Sequence, residues 1–262
     1  MSKAKILTID IESSPIEAFV WGLFEQNVGL PQIKTEWTIL SYAAKWLGKR
    51  EIFYADTSGR GADLVRDDSV LMTGLWELLD EADIVVAQNG KKFDIKKINA
   101  RLIMHGHGPY SPVRVVDTLL VARKYFSFTS NKLEWLSEKL TDSPKSKHRK
   151  FPGFELWTEC LKDNPKAWVE MRKYNIQDIR STELVYLKQR PWIANHPNLG
   201  AYETGGEHSC PSCGSTNIMK NGFATLQQGR YQRFSCRDCG SQSRGKQSLI
   251  LPSKRKTMRV SI

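Results

Sequence analysis

Two acidic residues interrupt the first apolar run of this chain. Asp10 and Glu12 lie in the stretch KILTIDIESSP (residues 5–15), whose aliphatic residues predict a buried β-strand. Side chains two residues apart on a strand share a face, so both carboxylates point to the same side near the end of the strand. Buried carboxylates need a cation or hydrogen-bond donors, and this pair suits a divalent metal. The alternative is a strand that only reaches the surface at Glu12.

A second acidic motif follows another short apolar run. The segment DIVVA (residues 83–87) predicts a buried strand, and QNGKKFD (residues 88–94) brings Asp94 to the start of a helix that runs to about Met104. In an α/β sheet, sites form where a strand ends and a turn leads into a helix. Asp94 is therefore a candidate ligand, although an aspartate in this position can also serve only as a helix cap.

A third motif lies in a long helical stretch, from about Lys166 to Lys188. Tyr174 and Asp178 are four residues apart, which places them one turn apart on the same helix face. The alternative is a surface tyrosine that packs along a charged face. Together the three motifs supply four carboxylates from two strand ends and two helices, and a cluster of that charge needs cations.

Two Mg²⁺ or Mn²⁺ ions are the usual solution for such a cluster, since they activate a water molecule and stabilise the leaving oxygen of a phosphodiester. The predicted ligands are Asp10, Glu12, Asp94 and Asp178. The hydroxyl of Tyr174 then also has a role, because it can orient the attacking water or help to deprotonate it.

The elements that must position these residues are predicted from hydrophobic periodicity and turn residues. A helix between the third and fourth strands implies a βαβ crossover, so the first strands are antiparallel and the later ones parallel. Residues 16–35 lack clean periodicity and are interpreted as a loop. The fold class is α/β: a mixed five-stranded sheet flanked by helices, plus a small C-terminal module. The other predicted strands are Trp37–Trp46, Arg50–Ala55 and Val113–Val116, and the other helices are Ser69–Glu81, Asp117–Tyr125 and Lys132–Leu140.

Other polar residues also suggest function, but the local sequence favours a structural role. Asp117 precedes a helix and is predicted to cap it. His105 and His107 suit the C-terminal end of the helix that begins at Asp94, where positive charge is favourable. The basic loop Ser143–Lys150 either contacts a phosphate backbone or is solvated. Cys160 stands apart from the other cysteines and is predicted to be a small buried apolar residue.

Charge is unevenly distributed along the chain. The formal net charge is +11, and residues 206–262 contain ten lysines or arginines but only two acids. Such a bias usually reflects contact with phosphate, although a solubilising tail is the alternative. No apolar run is long enough for a transmembrane helix and no signal peptide is evident, so we expect a cytoplasmic protein without membrane contact.

Four cysteines in the C-terminal region form two CxxC pairs, each followed by glycine. Cys210 and Cys213 make the first pair, and Cys236 and Cys239 make the second. The pattern indicates a zinc ribbon, in which four thiolates hold one tetrahedral Zn²⁺ that supplies folding energy. Disulfides are the alternative, and a cytoplasmic location disfavours them.

Basic and aromatic residues are interleaved within this module. Arg230, Tyr231 and Arg233 lie on a predicted hairpin strand, where arginine suits phosphate and tyrosine suits stacking on single-stranded nucleic acid. The predicted domain boundaries are 1–190 for the α/β domain, 191–206 for a linker, 207–245 for the zinc ribbon and 246–262 for a basic tail.

The order and spacing of the acidic motifs resemble those of the DEDD superfamily of 3′-to-5′ exonucleases, which have a ribonuclease H-like fold. Asp10-Ile-Glu12 resembles the first motif (DxE), and NGKKFD, ending at Asp94, resembles the second. Tyr174-x-x-x-Asp178 resembles the third motif in its tyrosine variant. The resemblance covers about residues 5 to 190.

This resemblance implies a role for each matching residue. The four acids would be metal ligands and Tyr174 would position the water, while Asn89 and Phe93 would lie near the terminal nucleotide. The tyrosine variant includes proofreading domains of family B DNA polymerases. The arrangement with a zinc ribbon looks like nucleases of phages and mobile elements, for which the compartment would be the host cytoplasm.

The sequence therefore predicts a metal-dependent 3′-to-5′ exonuclease that acts on the 3′ ends of single-stranded DNA, with the zinc ribbon aiding nucleic-acid binding. Two alternatives stay open. One is a nucleic-acid-binding adaptor whose nuclease fold is inactive, and the other is the same chemistry on RNA or an endonucleolytic cut. The presence of all four acids argues against the adaptor.

Overall fold

The structure is a computed structural model that describes residues 3–143, 148, 150–202 and 208–259. Internal contacts divide the chain into a first unit, Lys5–Tyr186, and a second unit that comprises the residues before Lys5 and those from Leu187 onward. Within the described ranges, no helix is both long and apolar enough to cross a membrane.

The first unit is built on a mixed five-stranded sheet, which confirms the predicted α/β class. Its strand order is β5-β4-β1-β6-β7, so β1 lies at the centre. On one side of β1, β4 runs antiparallel to β1 and β5 runs antiparallel to β4. On the other side, β6 runs parallel to β1 and β7 runs parallel to β6. The strands of this unit are β1 (Ile6–Ser13), β2 (Glu17–Ala18), β3 (Ile33–Thr35), β4 (Ile39–Trp46), β5 (Phe53–Asp56), β6 (Ile84–Ala87) and β7 (Arg114–Asp117).

Helices pack against this sheet and leave the acidic residues on one face of β1. Leu7, Ile9 and Ile11 are buried in an apolar cluster with residues of the first two helices. Because strand side chains alternate, Asp10 and Glu12 lie on the opposite face. The helices are α1 (Ser69–Glu81), α2 (Asp94–Met104), α3 (Thr118–Tyr125), α4 (Leu133–Leu140), α5 (Glu155–Leu161) and α6 (Pro165–Gln189).

The segment between β1 and β4 differs from the predicted loop. Its two ends pair as the short antiparallel strands β2 and β3, which are too short to show a periodic pattern in the sequence. Arg66 anchors this ladder, since its guanidinium donates to the hydroxyl of Ser14 at 3.0 Å and pairs with Glu17. Between the two strands, the side chains of Phe19, Trp21, Leu23, Phe24 and Leu30 are 70–98% exposed.

Helix α5 is a further element of this unit that the sequence did not predict. Only Leu156 and Cys160 are buried among its seven residues, which is too few to produce a clear helical pattern. Both pack against Trp168 and Met171 of α6, and Cys160 is the small buried apolar residue that was expected. Residues 144–147 and 149 of the predicted basic loop lie outside the described residues.

The second unit contains a three-stranded antiparallel sheet in the order β10-β9-β8. Its third strand continues to Ser248, three residues beyond the predicted end of the zinc ribbon. The predicted linker contains short 3-10 turns at Arg190–Trp192 and Leu199–Tyr202, while its residues 203–206 lie outside the described ranges. The elements are β8 (Ile218–Leu226), β9 (Gly229–Cys236), β10 (Gln242–Ser248) and, in the basic tail, α7 (Pro252–Thr257).

Candidate functional site

Three carboxylates meet near the carboxyl-terminal end of β1. One oxygen from each of Asp10, Glu12 and Asp178 lies within 4.8 Å of the other two. The alternation of β1 places the first two residues on one face, and α6 supplies the third, which is buried. Carboxylate oxygens are the ligands that hard divalent cations prefer, so this cluster could hold such an ion.

Asp94 contacts the same strand but lies outside this cluster of three. It is the first residue of α2, is 2% exposed, and accepts a hydrogen bond from the backbone N–H of Ile11 at 3.1 Å. Burial raises the pKa of Asp94 to about 7, although the N–H of Ile11 opposes this shift. The structure thus brings three predicted acids together and ties the fourth to Ile11, between Asp10 and Glu12.

Asp10 is held by a residue that the motifs do not include. The Nδ2 atom of Asn175 donates to Oδ2 of Asp10 at 2.6 Å. Asn175 is fully buried, and its Oδ1 atom accepts a hydrogen bond from the hydroxyl of Ser41 at 3.3 Å. Ser41 in turn pairs with Glu12 in the ladder between β4 and β1. Because Asn175 precedes Asp178 by three residues, helical periodicity is the sequence signal that could have identified it.

Helix α5 supplies a second contact that was not predicted. The Nε1 atom of Trp157 donates to Oε2 of Glu12 at 3.2 Å. The rings of Trp157 and Tyr174 meet edge to face with centroids 6.0 Å apart, and His148 contacts both rings. Tyr174 is largely buried, and its ring contacts Trp157, the residue that donates to Glu12.

The turn between β6 and α2 restricts which residues can occupy positions 89 and 90. Asn89 has a φ angle of 64°, in the left-handed region that asparagine adopts more readily than most residues. A Cβ atom on Gly90 would lie only 2.4 Å from the Cβ of Ala87, so glycine is needed there. Asp117 accepts the N–H of Asn89 at 3.0 Å and also caps α3, as predicted. Phe93, at the end of this turn, is 37% exposed.

The four cysteine thiols of the second unit form one cluster. Their Sγ atoms all lie within 4.8 Å of one another, with Cys210 and Cys239 3.7 Å apart and Cys213 and Cys236 3.6 Å apart. A tetrahedral site with Zn–S bonds of about 2.3 Å has S–S edges of about 3.8 Å, whereas a disulfide bond is about 2.05 Å long. The glycine after each pair has a positive φ angle, 75° or 77°, and closes its turn. The cluster therefore fits a metal ion.

The predicted nucleic-acid-binding residues of β9 do not share one face of the sheet. Arg230 lies on the opposite side from Tyr231 and Arg233, because strand residues alternate. The guanidinium of Arg230 lies 4.1 Å from the ring centroid of Phe223, whereas that of Arg244 lies 4.4 Å from the ring centroid of Tyr231. Arg244 also pairs with Arg233 across the ladder, so it joins Tyr231 and Arg233 on one basic face.

Comparison with protein families identifies the class of this protein. The model that describes the RNase_H superfamily matches residues 47–189, more than half of the chain. The chain therefore belongs to the RNase_H superfamily, which confirms the ribonuclease H-like fold. The matched range includes Asp94 and Asp178 but begins after β1, and Asp10 and Glu12 join this fold through the pairing of β1 with β4 and β6.

A solved structure shows the same fold. The family B DNA polymerase from the hyperthermophilic archaeon Pyrobaculum calidifontis matches with a TM-score of 0.51 and 16% sequence identity, over 73% of this chain and 26% of that chain. At this identity the similarity concerns the fold alone, and the chain spans about a quarter of the polymerase's length. Comparison with curated proteins gives no match. The superfamily and the acidic cluster together point to a nuclease-type hydrolase.

Proposed function

We propose that this protein is a metal-dependent 3′-to-5′ exonuclease that hydrolyses phosphodiester bonds at the 3′ end of single-stranded DNA. The observation that carries the proposal is the cluster of Asp10, Glu12 and Asp178, whose oxygens lie within 4.8 Å of one another on an RNase H-like fold. Carboxylates this close repel one another unless cations are bound between them. The buried Asp94, which contacts Ile11, is proposed as the fourth acid of the site.

The chain's own side chains would hold the reacting groups in place. The four acids would hold two Mg²⁺ or Mn²⁺ ions, which when bound supply activation of water and charge stabilisation at the phosphoryl group. Asn175 and Trp157 fix the orientations of the Asp10 and Glu12 carboxylates through their N–H groups. The hydroxyl of Tyr174 would orient the attacking water. Asn89 and Phe93 would lie near the terminal nucleotide.

The second unit is proposed to aid substrate binding. Its cysteine cluster would bind one structural Zn²⁺ and so order the sheet that carries Tyr231, Arg233 and Arg244. An aromatic ring beside guanidinium groups is a combination that holds single-stranded nucleic acid by stacking and by charge. The basic tail would add attraction that does not depend on base sequence.

The role of Asn175 can be measured without an activity assay. We expect Asn175→Leu to weaken Mn²⁺ binding by about 10- to 100-fold, as is typical of residues that orient metal ligands. Leucine has a similar volume but lacks the N–H that holds Asp10. Calorimetric titration of the zinc-loaded protein with Mn²⁺ measures the change, and Asn99→Leu, at an exposed position, is the control. Unchanged Mn²⁺ affinity in a folded Asn175→Leu variant would contradict this role.

Polarity and substrate are tested by digesting 5′-labelled single-stranded DNA and RNA of the same sequence, with Mg²⁺, with Mn²⁺ or with a chelator. We expect a metal-dependent ladder on DNA that shortens from the 3′ end. Asp10→Ala should abolish the ladder, and Tyr174→Phe should slow it by roughly 10²-fold, near the lower end of what a group that assists proton transfer contributes.

Each alternative has a distinct result in the same experiment. A ladder on RNA but not on DNA would show that the substrate is RNA. Internal fragments formed before any shortening would indicate an endonuclease. Binding of DNA without cleavage under any metal would exclude the enzyme and support the adaptor. Equal rates for wild type and Asp10→Ala would show that the acidic cluster is not the active site.

A further inference from the structure

A stack of one lysine and two aromatic side chains lies beside the candidate site, near the start of helix α2. The ammonium nitrogen of Lys97 lies 3.7 Å from the ring centroid of Trp37 and 5.0 Å from that of Phe93. Both distances are within the range of a cation–π interaction, which extends to about 6 Å. The two aromatic rings therefore hold the position of a positive charge at the end of an otherwise flexible side chain.

The stack is connected by short stretches of chain to the acids of the site. Phe93 directly precedes Asp94, and Lys97 lies one helical turn further along α2. Trp37 precedes Thr38, whose backbone pairs with Ser14 by two hydrogen bonds of 2.8 Å, and Ser14 is two residues from Glu12. The stack and the acidic cluster thus lie at the same end of the sheet.

Lys97 and its neighbour Arg101 differ in whether a described carboxylate pairs with them. Arg101, which also faces the Trp37 ring at 5.9 Å, makes hydrogen bonds of 2.7 and 2.6 Å to the buried Asp68. By contrast, no carboxylate among the described residues forms an ion pair with Lys97. Partial burial lowers the pKa of Lys97, because the charged form loses hydration. A cation that is partly dehydrated and lacks a counter-ion would be stabilised by an external anion.

We propose that Lys97 binds a backbone phosphate of the substrate strand, and that Trp37 and Phe93 hold the ammonium group in place for it. The ligand is a phosphodiester anion close to the 3′ end, because the stack lies beside the residues proposed to cut there. The exposed part of the Phe93 ring remains available to stack on a base. This inference rests on the proposed function, since it names a subsite for the same substrate.

The salt dependence of binding tests this subsite. A short 5′-fluorescein oligothymidylate is titrated with the full-length protein in buffer without added divalent cation, at several salt concentrations. For single strands, each phosphate contact contributes about 0.7 to the slope of log affinity against log salt. We therefore expect Lys97→Gln to reduce the slope by about 0.7 and to weaken low-salt binding several-fold, whereas Lys97→Arg retains most of the slope.

Lys96→Gln is the matched control, because it removes the same charge from the adjacent, exposed position of α2. Equal slopes for Lys97→Gln and Lys96→Gln would overturn the inference. So would a fall in the melting temperature of Lys97→Gln with an unchanged slope, since that would assign the stack to folding alone. If the wild-type protein binds and cleaves DNA, either result rejects only the Lys97 subsite. If the wild-type protein neither binds nor cleaves DNA, the result rejects the proposed function, and the Lys97 subsite that rests on it is rejected as well.

Discussion

Replacing Asp178 with asparagine is expected to lower the rate of phosphodiester hydrolysis by at least about 10³-fold at saturating Mg²⁺. Asparagine retains the shape of the side chain but removes the negative charge that a divalent cation requires. A bound cation contributes several kcal/mol of transition-state stabilisation, and about 1.4 kcal/mol corresponds to a factor of ten in rate. Single-turnover cleavage of 5′-labelled single-stranded DNA measures the rate.

The melting temperature distinguishes a loss of cleavage rate in Asp178→Asn from damage to the fold. Asp178 is 3% exposed and lies beside two other carboxylates, so removing its charge relieves repulsion in the metal-free protein. We therefore expect the melting temperature of metal-free Asp178→Asn to equal or exceed that of the wild type. Asp63→Asn, at an exposed position outside the cluster, should cleave at the wild-type rate. Cleavage by Asp178→Asn within a few-fold of wild type would contradict the proposed site.

Replacing Cys213 with alanine is expected to release zinc and to disorder the sheet formed by β8, β9 and β10. The apparent binding free energy of a structural Zn²⁺ in a small module is about 10–16 kcal/mol, and a three-stranded sheet with few buried apolar residues cannot replace it. The strands of this sheet are mostly exposed. Zinc content after dialysis and the rate of trypsin cleavage after Arg230 or Arg233 measure the two effects.

Cys160→Ala is the matched control, because Cys160 is a buried cysteine of the first unit that lies outside the thiol cluster. That variant should retain one zinc per chain and wild-type resistance of β9 to trypsin. A Cys213→Ala variant that keeps an intact, zinc-free sheet would show that the metal is dispensable. A protein mass 2 Da below that of the fully reduced chain, measured without reductant, would indicate a disulfide instead.

Much of the fold was predictable because it depends on local patterns. Apolar residues repeat along β1, β4 and α1 with the spacing of a strand or a helix, and the structure places these elements within one or two residues of the prediction. The grouping of Asp10 with Glu12 was also predictable, since alternation along one strand decides it. The shortest elements, β2, β3 and α5, were missed because two to seven residues carry too little periodic signal.

The contacts of the site follow a different rule, because they join residues that are far apart in the chain. Asn175 reaches Asp10 across 165 positions, and Trp157 reaches Glu12 across 145. The helical spacing from Asp178 places Asn175 on the same face of α6, but nothing in the local sequence of Asn175 or Trp157 specifies which carboxylate it contacts.

The sequence by itself determined the acidic motifs, the two CxxC pairs and the strands and helices that carry them, since each depends on the spacing of near neighbours. Only the tertiary structure decided which carboxylates meet, which donors hold them, and that Lys97 contacts the rings of both Trp37 and Phe93. The reason is physical: side-chain contacts depend on how strands and helices pack in three dimensions, and packing brings together residues whose separation along the chain carries no signal.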